Sequence, residues 1–173
     1  EEKVGNVFPK ERVITSNLQK YPKFIRKRYR LLLPKFPQAI EDLDLEGYDL
    51  VLSSSTAMAH GILTSIDTKH VCYCHSPIRY AWDWANEYRR ENNINGIKML
   101  LYAPLMKYIR EWDQIAADRP DLYIANSRNV KNRLKKYYKS DSDVIYPPIE
   151  IERFKASTSH SDYFLIVSTL APY

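Results

Sequence analysis

The stretch "HVCYCHSPIRYAWD", residues 70–83, decides how the rest of the chain is read. Its first five residues form a short apolar run with β-forming Val71 and Tyr73, and Ser76-Pro77 turns the backbone away, so it is expected to be a strand ending at His75. Similar runs occur at "YDLVLSS" (48–54), "DLYIAN" (121–126), "DVIY" (143–146) and "DYFLIVS" (162–168). Several are near-continuous rather than alternating, as in strands covered on both faces by helices.

Helical patterns lie between these runs. They are "PKFPQAIEDL" (34–43), a long stretch from about Gly96 to Asp118, and "SRNVKNRLKKYYK" (127–139). In the last, Val130, Leu134, Tyr137 and Tyr138 share a face and Ser127 stands as N-cap. Pro104 is expected to kink the long helix or divide it in two. Strands alternating with helices predict an α/β fold, a Rossmann-like, doubly wound parallel sheet. After "DVIYPPIEIERF", the polar run "KASTSHSD" and a new strand predict a domain boundary near residue 155.

The 173 residues suffice for one sizeable core and part of another. The net charge of +5 is unevenly placed: "KYPKFIRKRYR" (20–30) and "RNVKNRLKKYYK" (128–139) each hold six basic and no acidic residues. Such stripes are ordinary solvated helix faces or a surface for an anion. Two cysteines, Cys72 and Cys74, and the lack of any Asn-X-Ser/Thr acceptor give no indication of secretion. No signal-peptide pattern or apolar run of spanning length occurs. With four scattered glycines there is neither G-x-G-x-x-G nor a P-loop, which disfavours a nicotinamide-type Rossmann enzyme.

In open α/β sheets ligands bind beyond the carboxyl ends of the strands, which is where His75 stands. Arg79 offers a guanidinium to an anion, and Tyr80 and Trp82 either form a platform for a ring or pack a helix start. No metal site is expected. His70, Cys72 and Cys74 share one face of the strand but spread over roughly 13 Å at a rise of about 3.3 Å per residue, too far for one tetrahedral centre. Both cysteines read as buried small side chains. A nucleophilic Cys74 beside His75 is disfavoured because adjacent strand residues face opposite ways.

Together, "YDLVLSSS", "HVCYCHSPIRYAWD", "REWDQIAADRPDLYIANSRNVKNRLKKYY" and "VIYPPIEIERF" resemble the GT-B retaining glycosyltransferases of family 4, especially the bacterial and archaeal mannosyltransferases of O-antigen and polysaccharide assembly. The resemblance runs from about Leu18 to Tyr173. It implies that residues 1–154 are an N-terminal, acceptor-side Rossmann-like domain lacking its first strand and glycine-rich loop. Residues 155–173 are then a linker and the first strand of a C-terminal, donor-binding domain.

By the same resemblance His75 is catalytic, approaching the donor sugar. Arg79, Tyr80, Trp82 and Asp83 face the acceptor, as do Asn126 and Ser127 at the next strand's end, where Ser127 as a plain helix cap is an equal reading. The donor is expected to be a nucleotide sugar, GDP-mannose, with no metal or other cofactor required. The acceptor is lipid-linked or a polysaccharide, and the sugar is transferred with retention. The chain is expected to be cytoplasmic and peripheral on the inner face of the membrane. Its docking segment is "LQKYPKFIRKRYRLLLPKF" (18–36), where Lys23, Phe24, Arg26, Lys27 and Arg28 mix charge with apolar surface. The alternative is a basic module that binds nucleic acid or an anionic membrane without catalysis, for which "RLKKYYK" interleaves charge and aromatics.

Overall fold

A computed structural model describes residues 8–155 and 162–167. Four strands, β1 (Leu50–Ser55), β2 (Lys69–Cys74), β3 (Leu122–Ala125) and β4 (Asp143–Val144), form one sheet in the order β1-β2-β3-β4. All neighbours pair in parallel, with Ser54 opposite Tyr73 and Cys74 opposite Ala125. This is the mixed α/β, Rossmann-like architecture expected from alternating strand and helix patterns. The strand order runs in one direction, so among the described strands there is no point at which it reverses.

The helices are α1 (Lys23–Arg26), α2 (Phe36–Glu41), α3 (Ala85–Glu91), α4 (Ile97–Ala116) and α5 (Arg128–Arg133), the last continued by a π-helical turn, Leu134–Tyr138. Of the two expectations at Pro104, a kink or a division, the division does not occur: α4 runs unbroken through it. Pro104 lacks only the N–H that would donate to the Leu100 carbonyl, and Leu100 is exposed, so that carbonyl is open to a hydrogen bond donated by water. The expected strand at 162–168 is not formed: residues 162–167 carry no strand and are exposed, and residue 168 lies outside the described residues.

The sheet is covered on one face by the described helices, not on both. Ser53, Ser55, His70, Cys72, Cys74, Tyr123 and Ala125 are buried, whereas Leu50, Leu52 and Leu122 on the opposite face are exposed. The near-continuous apolar runs are therefore only half used here. One core group joins Cys72, Cys74, Tyr123 and Ala125 to Val130, Leu134 and Tyr138, the stripe that the 127–139 pattern marked. A second packs Met58, Ile78 and Ala81 under Met106, Ile109, Trp112 and Ala116 of α4.

Gly61 sits where a Cβ would lie 2.5 Å from two ring atoms of Trp112, so only glycine lets the 59–61 turn approach α4. Arg119 locks the contact by donating to the Gly61 carbonyl and, at 2.6 Å, to Glu41. Glu41 also accepts the Trp112 indole N–H at 2.8 Å. Burial pushes the Glu41 carboxyl up, but the Trp112 and Arg119 hydrogen bonds and the Arg119 charge outweigh it and hold the pKa below its ordinary value.

Candidate active site at the carboxyl end of the sheet

β2 delivers His75 to the carboxyl end of the sheet, where its backbone N–H still bonds the Ser55 carbonyl at 2.8 Å. Side chains two apart in a strand share a face, and the Tyr73 ring meets the imidazole edge-on at a centroid distance of 5.1 Å. Ser54, opposite Tyr73, places its hydroxyl 2.9 Å from His75 Nε2. Strand pairing thus sets the ring's orientation from below and beside, on the sheet's open face, while the ring stays partly exposed.

The segment after His75 turns onto the helical side and is pinned there. Arg133 of α5 reaches across with Nη1 on Ser76 Oγ at 3.2 Å and Nη2 on Asp83 Oδ2 at 2.6 Å, both pairings partly buried. Trp82 stacks on Tyr137 at 5.0 Å, and its indole N–H donates to Asp113 Oδ2 at 2.6 Å. Fully buried Asp113 accepts a second bond from the Tyr138 hydroxyl at 2.9 Å. His60 Nε2 lies 3.3 Å from the same carboxylate, outside hydrogen-bonding alignment.

The expected acceptor residues therefore separate. Trp82 and Asp83 have one ring face, the indole N–H and the carboxylate engaged within the protein. Arg79 and Tyr80 instead line a cavity of about 270 Å³ together with Trp84, Tyr88, Tyr29 and Arg30. Asn126 and Ser127 remain at the end of β3: the Asn126 N–H bonds the Cys74 carbonyl at 3.2 Å, and Ser127 Oγ donates to Asn126 Oδ1 at 3.0 Å and caps Val130 N–H at 3.3 Å. The cap read from sequence is formed.

Sequence reasoning missed Ser54, Asp113, Arg133 and Arg30, because each acts on a residue 21 or more positions away. The one available signal was polar: Asp113 stands on the apolar stripe of α4, an expensive place for a carboxylate without partners.

Burial raises the Cys72 thiol to about 11 and pushes Cys74 higher still, so neither is a nucleophile near neutral pH. Among the described residues no group of three or more His, Cys, Asp or Glu is placed to hold a metal ion, and no helix is long and apolar enough to cross a membrane. In "RLKKYYK", Tyr138 is buried and Tyr137 is stacked on Trp82, leaving neither ring open as a platform for bases. In the 18–36 segment Lys23, Phe24, Lys27 and Arg28 are exposed, whereas Arg26 turns half-buried onto Gln19.

The family model for Glycosyltransferase Family 4 matches residues 4–153. The chain belongs to this family. The match embraces all four strands, His75 and the 127–139 helix, and establishes a glycosyltransferase domain whose general partners are a sugar donor and an acceptor. No curated protein and no solved structure matches the chain.

Proposed function

We propose that this glycosyltransferase domain is the acceptor side of a retaining GT-B enzyme that moves mannose from GDP-mannose to a lipid-linked or polysaccharide acceptor. The observation that carries this reading is the position of His75 within the family match, at the carboxyl end of a parallel strand with its ring set by Ser54 and Tyr73. In the transfer, the acceptor hydroxyl oxygen bonds the anomeric carbon as the bond from that carbon to the diphosphate breaks. The bond pair stays with the leaving diphosphate, and the hydroxyl proton is taken up there. Positive charge grows on the sugar and negative charge on the leaving group, so preorganised groups around both lower the barrier. His75 serves the sugar side, and no residue is assigned as a covalent nucleophile. Arg79 and Tyr80 contact the acceptor, while Trp82, Asp83, Asn126 and Ser127 shape the ground on which it sits.

The test is transfer from radiolabelled GDP-mannose by the protein carrying this domain, compared with its His75→Ala variant. A group acting in the transition state lowers kcat, whereas a uniform binder raises KM. Turnover is expected to fall well beyond threefold with little change in acceptor KM. A fall within about threefold, under ~1 kcal/mol, makes His75 scaffold.

In this proposal the domain works as a peripheral protein on the cytoplasmic face of an anionic membrane. The exposed Lys23, Phe24, Lys27, Arg28, Tyr29 and Leu31 combine charge and apolar surface, as interfacial binding requires. Replacing Lys23, Arg26, Lys27 and Arg28 with Ser is expected to abolish co-sedimentation with phosphatidylglycerol vesicles; unchanged sedimentation removes membrane docking from the reading.

A further inference from the structure

We propose that Arg133 is a positioning residue for sugar transfer: its guanidinium clips together the two ends of segment 76–83, which follows His75, and Asp83 acts on the acceptor through this clip rather than by touching it. The link to the acceptor rests on the transfer reading above.

Segment 76–83 carries turns and neither helix nor strand, so its shape depends on ties. Within and just beyond it the Ala81 N–H donates to the Ile78 carbonyl at 3.1 Å and the Trp84 N–H to the Arg79 carbonyl at 2.8 Å. Ile78 and Ala81 are buried in the core group that α4 covers. The two ends meet at one group. Arg133 places Nη1 3.2 Å from Ser76 Oγ and Nη2 2.6 Å from Asp83 Oδ2, so a single planar fork spans both. Ser76 Oγ spends its own proton on the Pro77 carbonyl at 2.8 Å, which leaves its lone pairs for the guanidinium.

α5 ties this clip to the sheet. The helix is capped by Ser127 at the end of β3, where the Asn126 N–H bonds the Cys74 carbonyl at 3.2 Å. Arg133 follows six residues later, a rise of about 9 Å along the helix. The π-helical turn behind it strengthens the hold, because Tyr137 stacks on Trp82 at 5.0 Å and the Tyr138 hydroxyl bonds Asp113, the carboxylate that accepts the Trp82 N–H. The wider i→i+5 repeat brings both tyrosines to the side that Arg133 occupies, and such turns recur at functional sites.

Arg133 is suited to positioning and not to binding an anion, since each of its terminal nitrogens has a partner and the Asp83 carboxylate offsets its charge. The His75 ring is set without it, by Ser54 and Tyr73 on the open face of the sheet. Opening the clip therefore displaces Arg79 and Tyr80, the acceptor contacts of the transfer reading, and leaves His75 in place. The effect belongs in the acceptor KM, not in kcat.

The experiment has two arms, both on the protein that carries this domain. In the first, hydrogen exchange read by mass spectrometry compares the parent with Arg133→Gln. Peptides covering residues 76–84 are expected to exchange about tenfold faster, and those covering β2 and β3 to change by no more than about threefold. Equal acceleration everywhere, or none at 76–84, overturns the clip. The second arm measures transfer from GDP-mannose. Arg133→Gln is expected to raise the acceptor KM about tenfold with kcat within about threefold, and Arg133→Lys, a point charge unable to span both partners, to recover part of the loss. Loss of folded protein alone gives the opposite split, a lower kcat at unchanged KM. Asp83→Asn is expected to raise the acceptor KM in the parent and to add nothing in the Arg133→Gln background, because both changes open the same clip. Effects that multiply place Asp83 on the acceptor itself and overturn the proposal. If Arg133→Gln fails to fold, Asp83→Asn opens the clip from its other side and carries both arms, with Arg133→Lys as the second background. A protein whose exchange responds as expected but which transfers nothing keeps the clip and loses the transfer reading; one that transfers sugar without the KM split loses the role of Arg133 alone.

Discussion

β2 has two rows of side chains with opposite fates. His70, Cys72 and Cys74 are 0–2% exposed, while Val71, Tyr73 and His75 on the other face are partly open. On the buried row every polar atom must find a partner inside the protein or cost stability. There Ser53 Oγ meets His70 Nε2 at 2.8 Å, and beyond the strand the helical side gathers Trp82 and Tyr138 onto Asp113. On the open row Ser54 and His75 make a similar bond at 2.9 Å in contact with solvent. One Ser–His pairing therefore holds the core, and the other leaves a ring partly open at the carboxyl end of the sheet. The same interaction acquires a different role from the face of the pleat it occupies.

The hardest blow to the buried side is Asp113→Ala. It leaves the Trp82 N–H and the Tyr138 hydroxyl without an acceptor and removes the carboxylate beside His60. Each buried donor left unpaired costs about 1–3 kcal/mol, so the two together are expected to cost about 2–6 kcal/mol. Urea denaturation is expected to register that loss, with Asp113→Asn intermediate because its amide oxygen keeps one acceptor. A loss below ~1 kcal/mol would show that apolar packing alone holds the buried side.

Next in size is the pH response of His70. Burial disfavours its charged form, with His60 adding to the effect and Asp121 opposing it, and its pKa falls from 6.5 to about 4. The unfolded chain then binds more protons than the native one between these values. Stability is full above pH 6.5 and declines as pH falls towards 4, by at most about 3 kcal/mol at ~1.4 kcal/mol per unit. His70→Gln, which keeps a partner for Ser53, should flatten that part of the profile relative to the parent. Parallel profiles would mean that His70 is already protonated, or equally neutral, in both states.

How much of this was legible beforehand follows the range of the interactions. β2, the Ser127 cap and the Val130–Leu134–Tyr138 stripe are written in neighbouring residues, by period and by turn chemistry, and the structure places each as read. The extent of α4 was legible, but the choice between a kink and a division at Pro104 was not, because whether a proline divides a helix depends on where water reaches the freed carbonyl, a tertiary fact. Coverage of the second sheet face was misread because an apolar run records what a strand is able to bury, not what lies over it. For the site, the position of His75 was legible from the strand's end. The separation of Arg79 and Tyr80 from Trp82 and Asp83 was not, since Asp113 and Arg133, which impose it, are 30 and 50 residues further along the chain than Asp83.

The smallest effect tests the boundary between the two sides. Ser127 ends β3 at the open edge, yet its oxygen caps α5, a helix of only six residues before the π-helical turn. The cap bond to Val130 N–H is long, 3.3 Å, and Oγ also donates to Asn126 Oδ1 at 3.0 Å. Ser127→Ala removes both and is expected to cost about 1 kcal/mol in urea denaturation, the usual value of an N-cap. Ser127→Asp restores an acceptor, and a carboxylate favours the helix N-terminus, so stability should return. Transfer then separates the two roles. If Ser127 only caps, Ser127→Asp transfers sugar as the parent does. If its hydroxyl also meets the acceptor, the Asp variant is as stable as the parent but raises the acceptor KM, because a donor has been exchanged for a charge. Full stability in Ser127→Ala would sink the cap itself, and Val130 N–H must then be satisfied by water at the open end of the sheet.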